Sequence, residues 1–439
     1  MSYVSHTSHA HDERSSLSVP PLDSLAEGRL LAAMERPGCP LCRAVWQAES
    51  QTLNWYVNDG AVDEPTYHRV RRSLGFCGRH TVALALIESD KWAWGHLGFA
   101  MLHEDTLRAR VAPLVMDGRH YHAGRLDAFR LALALRRTGA CPACEDRQSV
   151  EREQVTAFAS SLCLSAEFRR SYAHGASLCL PHRAAVMAEI RRLEADGVTG
   201  GSIELLVASS HTPEDERLPE LARRLYGGNP YFWGLGSDRL RWEDASADAR
   251  CDVCVSVSGE VERQAAELFS QPVAPTLCEW HGWIMASAPQ PESDQGDWQS
   301  PWQDTRSAYS TQRDALCPLC ALTRRLEDEQ LRAAPMETGE EMYCLPHIRR
   351  ALSLTARGAL PASATIRTAQ RLAGYANEVG KRLRGYIAHC SEDQQEAITA
   401  AERASWREAA RWFGGIEADA TLAALQLAGA SRSHTQTPG

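Results

Sequence analysis

Apolar residues recur at intervals of three and four along most of the chain. In "RAVWQAESQTLNWYVND" (43–59), Val45, Trp46, Leu53 and Tyr56 fall near one face of a helix. Val155, Phe158 and Leu162 repeat the spacing, as do Val186, Ile190 and Leu193, and Leu322 with Leu326. "TVALALIES" (81–89) and "GFAMLHEDTLRARVAPLV" (98–115) read as further helices, and Leu372, Tyr375, Val379, Leu383 and Tyr386 form a long apolar stripe. No stretch alternates apolar and polar residues as a half-buried strand does. The pattern predicts an all-α fold.

The periodicity lapses in four places. Residues 1–24 are rich in His, Ser and Pro and read as a disordered tail, as do residues 426–439. "YGGNPYFWGLGS" (226–237) divides the chain into a first half, 25–230, and a second half, 231–425. "PQPESDQGDWQSPWQDT" (289–305) reads as a loop within the second half.

Superimposed on the helices is a repeat. Cys39-Pro-Leu-Cys42 is followed after 34 residues (43–76) by Cys77-Gly-Arg-His80, and Cys141-Pro-Ala-Cys144 after 34 (145–178) by Cys179-Leu-Pro-His182. Cys251-Asp-Val-Cys254 is followed after 23 (255–277) by Cys278-Glu-Trp-His281, and Cys317-Pro-Leu-Cys320 after 23 (321–343) by Cys344-Leu-Pro-His347. Of the 14 cysteines only Cys163 and Cys390 stand outside these motifs, on a helix and at a helix end respectively. A random chain of this cysteine content would hold on the order of half a CxxC. The 11-residue difference between the two gaps amounts to about three helical turns, although a deleted loop fits equally well.

Each CxxC joined to the CxxH that follows it makes a Cys3His set, the ligand complement of a closed zinc site. The expected sets are therefore Cys39, Cys42, Cys77 and His80; Cys141, Cys144, Cys179 and His182; Cys251, Cys254, Cys278 and His281; and Cys317, Cys320, Cys344 and His347. A tight turn brings the sulfurs of CPxC together, with Pro40, Pro142 and Pro318 presetting its φ. In CxxH the side chains at i and i+3 share one face of a helix, whose positive end favours thiolate. Three thiolates and an imidazole leave no coordination position open for water. About four zinc ions per chain, structural in role, are expected. Iron–sulfur clusters, which thiolates also hold, are the alternative. A thioredoxin-like CxxC needs a βαβ setting that is absent, and haem attachment needs CxxCH, where this chain has Arg43, Glu145, Val255 and Ala321 after the motifs.

Other chemistry is sparse. There is no Walker loop, GxGxxG, GxSxG or EF-hand loop. His6, His9 and His11 lie in the N-terminal tail, and His120 and His122 in a loop with nothing nearby to complete a site. "HEDTL" at His103 lacks the second histidine of HExxH, so His96 and His103 read as packing or surface residues. Net charge is −9, against the basic excess of a protein that grips nucleic-acid backbones. The N-terminus has no apolar core of a secretory signal, and no run reaches the ~18 apolar residues of a membrane span. The expectation is a cytoplasmic protein without membrane attachment, whose thiols stay reduced.

The pairs "CPLC" (39–42) with "GFCGRH" (75–80), and "CPAC" (141–144) with "CLPH" (179–182), resemble an uncharacterised family of bacterial helical proteins with paired modules in a chain about half this long. "ERASWREAARWFGG" (402–415) is similar to that family's C-terminal end. The resemblance implies that the second half is a further copy of the two-module unit, its third module diverged at Asp252 and at "CEWH". It implies no known activity. The leading expectation is a non-enzymatic helical scaffold, regulatory or acting through protein partners. An iron–sulfur or thiol-based redox protein comes second. An enzyme or small-molecule binder with a pocket between the halves comes third, and nucleic-acid binding last.

Overall fold

A computed structural model of the protein describes residues 24–35, 39–89, 96–115, 122, 124–174, 178–198, 251–269, 317–333, 343–390 and 398–415. Cys278, His281, residues 1–23 and 426–439 of the tails and the two loops at 226–237 and 289–305 lie outside the described residues, while Ser24, at the end of the expected N-terminal tail, begins a helix. Among the described residues the regular structure is helical and no strand occurs.

The first half holds α1 (Ser24–Met34), α2 (Pro40–Val57), α3 (Glu64–Ser73), α4 (Gly78–Ser89) and α5 (Leu97–Thr106). A single π turn, Leu107–Val111, carries α5 on into α6 (Ala112–Val115), so the helix expected over 98–115 is one rod with a local widening. Then come α7 (Arg125–Ala134), α8 (Pro142–Leu164), α9 (Ala166–Ala173) and α10 (Leu180–Ala195). The second half holds α11 (Asp252–Phe269), α12 (Pro318–Ala333), α13 (Leu345–Ala356), α14 (Ala364–His389) and α15 (Ala400–Gly414).

The starts of these helices follow from the sequence. Asp63 accepts from the Thr66 N–H at the head of α3, and Ser165 accepts from the Phe168 N–H at the head of α9. Thr399 and Glu402 form a reciprocal capping box on α15. At α2, α8, α10 and α13 the residue before the first turn is a cysteine, followed by proline within the first two helical positions. Proline is favoured there because its missing N–H has no partner inside the helix anyway.

Two apolar cores result. The smaller one gathers α1, the start of α2, the later part of α8, α9 and α10 around Phe158, whose ring meets Phe168 and Tyr172 edge-on. The larger draws on both halves of the sequence, from Leu53 to Phe413. Here α13 packs on α7, α14 on α5 and α15 on α4. Trp412 and Phe413, from the stretch 402–415 singled out in the sequence, are buried in this core, and Phe413 abuts the His103 ring. The chain enters the Cys77 motif through Leu74 and Gly75, both at positive φ (52° and 85°). A side chain on Gly75 would come within 2.9 Å of the Phe413 ring, which accounts for glycine in "GFC".

Candidate metal centres

Each described motif begins a helix. The carbonyls of Cys39, Cys77, Cys141, Cys179, Cys251, Cys317 and Cys344 accept the N–H four residues on, at 2.8–3.2 Å. The turn expected of CPxC is therefore the first turn of the helix itself. Both residues of a motif then share a face beside the positive helix end, where thiolate is favoured.

Among the described residues three groups of four donors converge. Cys39 and Cys42 meet Cys179 and His182; Cys77 and His80 meet Cys141 and Cys144; Cys251 and Cys254 meet Cys344 and His347. This corrects the pairing expected from sequence, in which each CxxC was joined to the next CxxH. The motifs are nested instead: in both halves the outer CxxC closes with the last CxxH, and in the first half the inner two motifs close with each other. The course of α2 gives the reason. Its 18 residues span about 27 Å, and the chain comes back to it at Glu49, ten residues or about 15 Å beyond Cys39, where His80 meets that carboxylate. Cys77 thus arrives beside the middle of α2, too far along it to join Cys42.

In each group the donor atoms all lie within 4.8 Å of one another. In the first, Cys42 Sγ stands 3.5 Å from Cys179 Sγ and 3.2 Å from His182 Nδ1. In the second, Cys77 Sγ is 3.7 Å from Cys144 Sγ, and His80 Nδ1 is 3.2–3.4 Å from Cys77, Cys141 and Cys144. In the third, Cys254 and Cys344 are 3.7 Å apart, and His347 Nδ1 is 3.0–3.5 Å from the three sulfurs. Two sulfurs bound at about 2.3 Å to a tetrahedral ion lie about 3.8 Å apart. The residues therefore fit one tetrahedral metal ion per group. A cluster of several irons would spread its cysteines over separate iron atoms, beyond the edges of one tetrahedron.

The four donors of each set compete for protons. The Cys42 and Cys254 thiols are pushed up because each shares a proton with two neighbouring sulfurs, with burial adding to it; burial leads for Cys141. Against burial, the neighbouring thiolates raise the imidazoles of His80, His182 and His347. Three sulfurs this close cannot all ionise by themselves. A dication resolves the conflict by binding all three as thiolates.

Among the described residues, His80, His182 and His347 each turn Nδ1 inward and leave Nε2 facing a glutamate that the sequence reading passed over. His80 Nε2 lies 2.6 Å from Glu49 Oε1, His182 Nε2 3.4 Å from Glu151 Oε1, and His347 Nε2 3.3 Å from Glu327 Oε1. The last two face each other without the alignment of a hydrogen bond. Glu49 is buried with Arg147 and Arg79 at 3.6 and 3.8 Å; burial works against its ionisation, but His80 and these arginines hold it down to about 2. The signal was available. Each of these glutamates stands ten residues after the first cysteine of a CPxC motif, at Cys39, Cys141 and Cys317.

The remaining candidates fall elsewhere. Cys317 and Cys320 stand at the head of α12, beside Leu319 and Leu322, and their expected partners Cys278 and His281 lie outside the described residues. His103 is a core residue stacked on Phe99 at 3.9 Å, and burial depresses it to about 4. The His96 ring lies tilted against Trp406 with centroids 4.3 Å apart, and His122 is exposed. Cys163 is buried in α8 and Cys390 caps α14, as expected. No helix of the described residues is long and apolar enough to cross a membrane. No family model, no curated protein and no solved structure matches the chain.

Proposed function

We propose that the protein is a non-enzymatic helical scaffold stapled by zinc, working through contacts with protein partners or as a regulator. The observation that carries this reading is the closed donor set. Three thiolates and one imidazole fill a tetrahedron in each described group and leave no position for a substrate or an activated water. Zinc suits thiolate and imidazole donors and needs no redox change. The staples also join distant parts of the chain, with Cys39 and His182 separated by 143 positions. The bacterial helical family that the motifs resemble, and a reducing compartment such as the cytoplasm, go with this reading.

Metal analysis of protein purified anaerobically should return zinc, about four ions per chain, and chelation should lower the helical circular-dichroism signal. A chain that keeps its full helix content without metal would sink the proposal. A second reading has one observation behind it. Cys42, Cys77 and Cys144 are only half-buried, so an oxidant could reach thiolates that a purely structural site would shield. Peroxide that releases zinc in proportion to the thiols oxidised would favour this redox variant.

A further inference from the structure

The two metal groups of the first half share their helices in a crossed manner. α2 begins at the Cys39 and Cys42 group, and Glu49, further along α2, faces His80 of the other group. α8 begins at that second group, with Cys141 and Cys144, and its Glu151 faces His182 of the first. The two helices pack against each other. Because the start of each lies beside the body of the other, they run antiparallel. Ten residues of helix span about 15 Å, which sets the distance between the two centres along the shared axis.

The second half repeats one side of the device. α12 begins at Cys317 and Cys320, and its Glu327 reaches His347 of the group to which α11 supplies Cys251 and Cys254. In all three cases the carboxylate meets the histidine of a group other than the one its own helix begins. Helix stabilisation alone does not require this. Glu49 is the stronger case, because a buried carboxylate at hydrogen-bond distance from a ring nitrogen needs a reason to be there.

Resting on the reading of these groups as metal sites, we propose that Glu49 and Glu151 are reciprocal positioning residues. Glu49 accepts the Nε2–H of His80, and Glu151 draws that of His182 from 3.4 Å, so that each carboxylate favours the tautomer that offers Nδ1 to the metal. The helix that ligates one ion with its first turn thereby orients a ligand of the second ion. An outer carboxylate of this kind orients the ring and raises its basicity, and losing one weakens metal binding about 10–100-fold.

The test uses the full-length protein loaded with cadmium-113, in which each thiolate site gives its own resonance. Cys179→Ser and Cys141→Ser assign the two signals. Glu49→Gln should move the resonance of the Cys77, His80, Cys141 and Cys144 site and weaken that site about 10–100-fold in chelator competition. It should leave the Cys39 site unchanged, although Glu49 is on the helix that starts there. Glu151→Gln should do the converse, and its less buried carboxylate keeps the test open if Glu49→Gln misfolds. The proposal is overturned if either variant disturbs the site at the head of its own helix, disturbs both sites equally, or moves neither. If the unaltered protein gives no cadmium resonances, the metal reading itself has failed, a distinct result.

Discussion

Glu88 shows what a single buried carboxyl does in this fold. It sits near the end of α4, where its oxygens accept the N–H groups of Gly98 and Phe99 at 2.6 and 2.9 Å and so cap α5. Burial nevertheless dominates and pushes the carboxyl up to about 7, against the pull of the Phe99, Gly98 and Leu97 N–H groups. A carboxyl raised in the folded state binds its proton more tightly there than in the unfolded chain. Its contribution to stability is present at low pH and is lost as pH rises from its unfolded value, about 4.5, toward about 7. Glu88→Gln removes that dependence. The stability of the Gln variant minus that of the parent should rise by about 3 kcal/mol between pH 4.5 and pH 7, at 1.36 kcal/mol per unit, and stay level above it. Denaturant titrations of both proteins across this range measure the difference, in which any common loss of metal cancels. A flat difference would contradict the account. Nothing in "ALIESD" marks Glu88 as buried. Its environment is made by α5 returning across it, a contact no local pattern announces.

At the scale of helices, most of the fold was legible and the connections were not. The apolar stripes of α2, α8 and α14 lie where the periodicity put them, because a buried helix face must be apolar at intervals of three and four. The ligands too could be read, since cysteine and histidine three apart at a helix start have few other uses. Which motifs would share an ion was a different kind of question. Chain separation favoured the nearest partner, whereas the answer depended on the point along α2 to which the chain returns and on the antiparallel seat of α8. The nested pairing makes a sharp prediction. Cys39→Ser with Cys179→Ser damages one site and should lower metal content by one ion per chain. Cys39→Ser with Cys77→Ser damages two sites and should lower it by two. The reverse result by elemental analysis, two ions lost from the Cys39→Ser and Cys179→Ser variant and one from the Cys39→Ser and Cys77→Ser variant, would restore the sequential pairing.

At the scale of the whole molecule, the larger core binds the halves together. α13 packs on α7, and α15 brings Trp412 and Phe413 beside Phe76, Phe99 and His103. The second half thus completes a core that begins in the first, and its own motifs follow the same outer pairing, Cys251 and Cys254 with Cys344 and His347. Carried through, the nesting order leaves Cys317 and Cys320 to close with Cys278 and His281, which would make a fourth ion. That site should differ from the others in strength. Three of the CxxC helices carry a glutamate ten residues after the first cysteine; α11 carries Val261 there, and the adjacent Glu260 is engaged by Arg263 and Gln264 on its own helix. With no carboxylate at the position that faces a histidine elsewhere, the fourth ion should be held about 10–100-fold more weakly than the other three. A stepwise chelator titration should therefore release one zinc first, and Cys317→Ser should abolish that early step while the slower release of three ions persists. Simultaneous release of all four, or an early step untouched by Cys317→Ser, would break the link between the missing glutamate and the strength of the site.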